Sequence, residues 1–247
     1  MKVIAISGKA QSGKGTLALA LLGELQRLGY SPQVLSYAEG VKLECAEFLA
    51  QLGIPFRQIH FWGDARYKNS RFFIFNPEEA VALHPRFQEY LSTYGAQVYF
   101  GRGNLTFQGN PCSGCEVLVG QFRTLMQWWG TEYRRKDNDT YWVDQLQAKL
   151  QASIKEHDVT IIEDLRFPIE YNHLKELGAT LVHVTRLGGD FEETAAHYSE
   201  QALDSPEYRW DYAMVNASTR EAFARQGHAL ARKIMECSEK QVKEGKV

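Results

Sequence analysis

The stretch KVIAISGKAQSGKGTLALALLGELQRLGY, residues 2 to 30, decides the fold. Its first six residues run mostly apolar and read as a short buried strand, and GTLALALLGELQRLGY then sets leucines at helical spacing before a terminal glycine. Between strand and helix, Gly8, Gly13, Lys14, Gly15 and Thr16 spell G-x-x-x-x-G-K-G-T. Glycines let backbone N–H groups curl around phosphate oxygens. The helix start adds partial positive charge, and a lysine at this place reaches the β and γ phosphates of a bound nucleotide. In the usual form of this loop the residue after the lysine carries the Mg²⁺-binding hydroxyl. Gly15 stands there, so contact with metal or phosphate is expected from the Gly15 backbone and from Thr16.

Outward from this stretch, QVLSY at residues 33 to 37 completes a strand–helix–strand unit whose crossover is expected to be right-handed. A helix is expected from Glu39 to about Leu52. Residues 54 to 120 change character: aromatic residues are frequent, Gly and Pro recur, and helical periodicity is weak. This reads as an insertion that covers a site, with a decoration lacking any direct role as the alternative. From Gln121 the pattern is helical again. VTII (159 to 162) and TLVHV (180 to 184) read as strands buried on both faces. FPIEYNHLKELG between them is a helix ended by Gly178. A last strand near residues 212 to 215 and a helix from about Thr219 to Cys237 close the domain, with SEKQVKEGKV as a solvated tail. The expected class is α/β: a five-stranded parallel sheet in a three-layer α/β/α arrangement of the P-loop NTPase type. One domain is expected over residues 1 to 240.

At 247 residues, 44% of them apolar, the chain can bury a sizeable core. A formal net charge of −2 argues against a surface built to neutralise many nucleic-acid phosphates, so no stable nucleic-acid binding is expected. The absence of a basic leader or a long apolar segment predicts a cytoplasmic protein with no membrane partner. Cys112 and Cys115 alone share a C-x-x-C spacing. A structural zinc would need two further ligands from residues such as Cys45, His60 or His84; free thiols on a Pro-Gly turn are the other reading.

DVTIIED ends at Glu163 and Asp164, with Arg166 two residues on. At the carboxyl end of a strand beside the first, Asp164 is placed to hold Mg²⁺ through water or to orient an acceptor, and Arg166 to neutralise phosphate. A surface ion pair would use the same residues. In QFRTLMQWWGTEYRRKDNDTYWVDQL, α-helical spacing puts Arg123, Gln127, Thr131 and Arg134 on one face. A cation, an amide, a hydroxyl and a second cation suit a ligand that carries a phosphate and a base, with Trp128 or Trp129 available to stack. A solvated helix face beside core tryptophans is the alternative. No serine–histidine or H-E-x-x-H arrangement is present. That fits phosphoryl transfer to an existing phosphate, which is mostly dianionic at neutral pH and needs no general base.

ISGKAQSGKGT, SYAEGVK, LMQWWGTEYRR with YWV, IIEDLRFPIE, VTR, HYSEQAL and DYAMVNAS follow in order from residue 3 to about 220. Together they resemble the tailed-phage deoxynucleoside monophosphate kinases. The resemblance implies ATP and Mg²⁺ as cofactors and a deoxynucleoside 5′-monophosphate as acceptor. It implies Lys14, Asp164, Arg166 and Arg123 as catalytic, and Gly8, Gly13, Lys14, Gly15, Thr16, Arg186 and Asn216 around ATP. Lys42, Arg123, Gln127, Trp128, Thr131, Arg134 and Glu170 would serve the acceptor, and Thr16 with Asp164 the metal. The resemblance also implies a lid near residues 187 to 208, and a homodimer stays open. Animal phosphomevalonate kinases share a glycine loop, a W-G-x-E-x-R stretch and an S-E-x-x-L-D that SEQALD echoes, which keeps a non-nucleotide acceptor open. A protein that uses ATP as a switch for a macromolecular partner is the rival from another class.

Overall fold

A computed structural model describes residues 1–99, 106–107, 110–111, 116–188 and 198–243, with side chains over 1–95, 117–188 and 198–238. Cys112 and Cys115, and residues 189 to 197 of the expected lid, lie outside the described residues. The chain divides into two compact units, Met1–Tyr37 with Thr140–Val247, and Ala38–Asp139.

The first unit begins with β1 (Lys2–Ser7), α1 (Lys14–Arg27) and β2 (Pro32–Leu35). β2 stops at Leu35, short of the expected Tyr37, which leaves Ser36 and Tyr37 free of the strand for another use described below.

The second unit then runs through α2 (Ala38–Gln51), α3 (Ile59–Trp62), α4 (Ala65–Lys68), β3 (Arg71–Ile74), α5 (Pro77–Leu83), α6 (Phe87–Tyr94), β4 (Ala96–Tyr99), β5 (Thr106–Phe107), β6 (Asn110–Pro111) and β7 (Glu116–Gln121). It closes with α7 (Phe122–Trp128), a π-helical turn over Trp129–Tyr133 and α8 (Arg134–Asp137). β3, β7 and β4 form an antiparallel sheet in that order. Helices α3 to α8 hold between four and eight residues each, too few turns for a 3.6-residue period to appear in the sequence. The aromatic residues of this stretch make its core: Phe48, Phe61, Phe87, Tyr90, Phe122, Trp128 and Trp129 are all buried, linked ring to ring. Gly120 is fixed by that packing, because a Cβ there would lie 2.4 Å from the Phe72 ring.

Back in the first unit, α9 (Tyr141–Ser153), β8 (Val159–Leu165), α10 (Pro168–Glu176) and β9 (Thr180–Arg186) follow. A single 3₁₀ turn (Tyr198–Glu200), β10 (Tyr212–Asn216) and α11 (Arg220–Lys243) complete the chain. The five strands lie in the order β10-β9-β1-β8-β2, every pairing parallel. β1 is therefore central, and its exit into the glycine loop falls at the carboxyl edge of the sheet, where open α/β sheets bind ligands. α11 continues to Lys243, so most of the stretch expected as a tail is helix. Among the described residues no helix is long and apolar enough to cross a membrane.

α1 and α11 share the core that covers one face of the sheet, through Leu17, Leu21, Leu25, Phe223, Leu230 and Ile234. Glu24 ties them at the rim: it accepts hydrogen bonds from Arg27 and from Arg232, and the bond from Arg27 holds its carboxyl down at about 2. Gly227 marks a close approach of the two helices, since a Cβ there would sit 2.7 Å from the Ala20 Cβ. Helix propensity alone favours Gly227→Ala by about 1 kcal/mol. Overpacking at this contact opposes it, and Gly227→Ala is expected to lower stability by roughly 1–3 kcal/mol in urea unfolding followed by circular dichroism.

Candidate active site

The loop that leaves β1 is shaped by its glycines. Gly8 has φ 142° and a Cβ there would meet the Val184 carbonyl at 2.3 Å; Gly13 has φ 110° and a Cβ would meet Asn216 Nδ2 at 2.7 Å. Both positions demand the left-handed region and a close approach, so only glycine fits. Gly15 differs: it lies in the first turn of helix α1, and among the described residues a Cβ there would have only Glu163 Oε2 near it, at 4.0 Å.

Lys14 is buried and donates from Nζ to the carbonyls of Gly8 (2.6 Å) and Lys9 (2.7 Å), which curls the loop around its own ammonium. Burial is the main cause that brings its pKa down to about 7; Arg166 adds to this, and Glu200, Asp164 and Glu163 oppose it. The Ser12 hydroxyl is buried with no hydrogen-bond partner among the described residues. Asn216 Nδ2 donates to the Ser12 carbonyl (2.9 Å) and exposed Arg186 to the Gln11 carbonyl (3.1 Å), so the ends of β10 and β9 brace the loop from one side.

From β8, Asp164 accepts the Tyr37 amide at 2.9 Å and the Ser36 hydroxyl at 2.7 Å, which pins the chain just past β2. Arg166 pairs with Glu200, whose other oxygen accepts the Ala10 amide of the loop at 2.6 Å. Burial alone would raise the Glu200 carboxyl; Arg166, the Ala10 amide and Lys14 outweigh it and hold it below the ordinary range. His183, on β9, is pushed down by burial and borders the same pocket as Lys9, Arg166 and Glu200. Glu170, expected to touch the acceptor, is 1% exposed and accepts the amides of Arg166 (2.9 Å) and Phe167 (3.0 Å) at the start of α10. In this arrangement a buried capping carboxylate sets the backbone from which Arg166 projects.

In the second unit Lys42 lies 3.6 Å from Glu39, which also accepts the Trp62 indole N–H at 2.9 Å. Arg123 donates to Asn69 Oδ1 at 2.5 Å, and Gln127 and Thr131 are half-buried. Trp128 is 2% exposed, stacked on Tyr133 and edge-on to Phe87 and Trp129, so the expected base-stacking ring has no open face in this structure. The expected α-helical alignment of Arg123, Gln127, Thr131 and Arg134 is also corrected. A π-helical turn bonds i to i+5 and holds more residues than an α turn, so Arg134 follows a register shifted from that of Arg123 and Gln127. The shift brings Trp129 and Arg134, five apart, to one carboxylate: Glu44 Oε2 accepts both, at 2.8 and 2.6 Å. Arg86 braces the same turn by donating to the carbonyls of Glu132 and Tyr133.

Ser12 and His183 in the first unit, and Glu44, Asn69 and Arg86 in the second, thus neighbour expected site residues of their own unit and were missed by sequence reasoning. Ser12 was within reach, since it lies inside the glycine motif; the others act through partners far away in sequence. Among the described residues no group of three or more His, Cys, Asp or Glu side chains is placed to hold a metal by itself. Magnesium does not need such a group when substrate phosphates and water complete its shell.

A family model described as deoxynucleotide monophosphate kinase matches residues 120–226. The match takes in the π-helical turn, Asp164, Arg166, Glu200 and Asn216, and the glycine loop precedes it. No curated protein matches the chain.

The lowered pKa of Lys14 has a measurable consequence. Free Lys14 is largely neutral at pH 8, while a polyphosphate beside it favours the charged form. Nucleotide binding at pH 8 is therefore expected to take up a fraction of a proton approaching about one, and close to none at pH 6. Calorimetry in buffers of different ionisation enthalpy reads this directly, and Lys14→Met should abolish it.

Proposed function

We propose, for a chain assigned by this match to the deoxynucleotide monophosphate kinase family, that its glycine loop is the P-loop that holds ATP. The γ-phosphate then passes to a deoxynucleoside 5′-monophosphate. The observation that carries this reading is the loop itself: a buried ammonium, an orphaned Ser12 hydroxyl and the start of α1 all lie around one turn. That donor set fits an anion with several oxygens.

Mg²⁺, when bound, supplies positive charge to the outer phosphate oxygens. Thr16 and Asp164 fit it as oxygen donors, Asp164 through water because its carboxylate already accepts from Ser36 and Tyr37. Lys14 and Arg166 stabilise charge on the transferring group, and no general base is required because the acceptor phosphate is already mostly dianionic. In the second unit, Lys42, Arg123 and Arg134 are assigned to the acceptor phosphate, and Gln127 and Thr131 to its base. The paired donors at Glu44 support this, since they hold Arg134 in one orientation. Residues 54 to 120 are assigned to covering the acceptor, and residues 187 to 208 to a lid. The phage-type motifs favour an enzyme of nucleotide supply for viral DNA, working in the host cytoplasm.

The test incubates the enzyme with ATP, Mg²⁺ and each natural deoxynucleoside monophosphate, the ribose counterparts and phosphomevalonate, and reads the product. Deoxynucleoside diphosphate is expected. Product from phosphomevalonate alone would overturn the acceptor assignment. Lys14→Ala is expected to lower kcat by about 10²–10³. Arg134→Ala should raise the acceptor KM by about tenfold and leave the KM for ATP nearly unchanged.

A further inference from the structure

Glu200 brings a carboxylate into the glycine loop. One oxygen accepts the Ala10 amide and the other accepts from Arg166. The side chain is only 6% exposed, so these bonds take the place of the water that a carboxylate otherwise needs. A loop amide and a guanidinium are the donors that a phosphate oxygen also takes.

We infer that Glu200 occupies the place of the terminal phosphate of ATP and is a specificity-determining residue, displaced by a triphosphate and left seated by a diphosphate. The inference rests on the reading of this loop as the ATP site. Position along the loop indicates which phosphate is mimicked. Ala10 lies near the exit from β1, whereas the amides at the start of α1 come after Gly13, whose side has no capping group of its own. Those helix-start amides, with their partial positive charge, suit the inner phosphates. A diphosphate seated there leaves Ala10 and Arg166 to Glu200, and a third phosphate brings oxygens that compete for both.

Lys9 and Asp204, 2.9 Å apart, also join the segment that carries Glu200 to the loop; each is about half exposed, and such pairs contribute little. After transfer the carboxylate can return to Ala10 and Arg166 as the phosphoryl group departs. Arg166 is then paired in both states, and the diphosphate product meets no newly bare cation that would retain it.

The experiment is an equilibrium titration of the full chain, with Mg²⁺, against ADP and a non-hydrolysable ATP analogue. Wild type, Glu200→Gln and Glu200→Asp are compared. A carboxylate that holds the position about nine-tenths of the time weakens the apparent affinity of its competitor by about tenfold. Glu200→Gln is therefore expected to tighten the analogue by about that factor and to change ADP by less than about twofold. Glu200→Asp is too short to span both donors and should tighten the analogue in the same sense, which covers a glutamine variant that folds poorly. Equal tightening of both nucleotides would seat Glu200 on an inner phosphate and overturn the inference. Unchanged or weaker analogue binding would overturn it too, leaving Glu200 as a support for Arg166. A wild-type protein that binds neither nucleotide would instead overturn the ATP reading of the loop.

Discussion

Lys14 turns its ammonium back onto the carbonyls of Gly8 and Lys9, and much of the first unit follows from that closure. A buried cation needs compensation, and the fold supplies it from three directions. Loop carbonyls lie beneath it, and Glu163, Asp164 and Glu200 contribute negative charge at a longer range. The strand order gives these groups their places. β1 is central, β8 beside it carries the two acidic residues just before its last residue, and β9 on the other side passes Val184 so near Gly8 that the turn admits no side chain. Glycine, lysine and carboxylates are thus parts of one electrostatic arrangement rather than separate motif letters.

The second unit solves a different problem. Apart from α2 it has a small antiparallel sheet and short helices, and its core is built from aromatic rings packed around Phe48, Phe122 and the two tryptophans. Against this core a π-helical turn, ordinarily a costly deviation, is held by Arg86 on its carbonyls and by Glu44 on its side chains.

The first unit was largely legible in the sequence because its elements are long and its strands are continuous apolar runs. Lys2 to Gly29 switches from strand-like to helical patterning within one glycine motif, and VTII and TLVHV admit few readings other than buried parallel strands. The antiparallel sheet of the second unit was not legible, since β3 and β4 hold four residues each and lie far from β7 in sequence. Within the site, residue type was readable and burial was not. Glu170 and Trp128 have chemistry suited to a ligand, but both are enclosed, one by a helix start and the other by rings. Glu44 carries no motif, and its meaning comes only from Trp129 and Arg134 arriving together. A π-helical turn leaves no mark in composition, because WGTEY reads as ordinary helix.

That turn places a constraint on the chain that no single side chain expresses. In Trp129–Tyr133 the number of residues in the turn, more than their identity, determines where Arg134 points relative to Trp129. If the segment straightened to an α-helix at unchanged length, Arg134, five residues on, would rotate away from the carboxylate it shares with Trp129, whereas loss of one residue would leave the pair four apart on one α-helical face. The turn thus absorbs one residue beyond the α-helical count and keeps the two side chains together. This short stretch acts as a ruler, and its five residues are the unit in which the distance from Trp129 to Arg134 is measured.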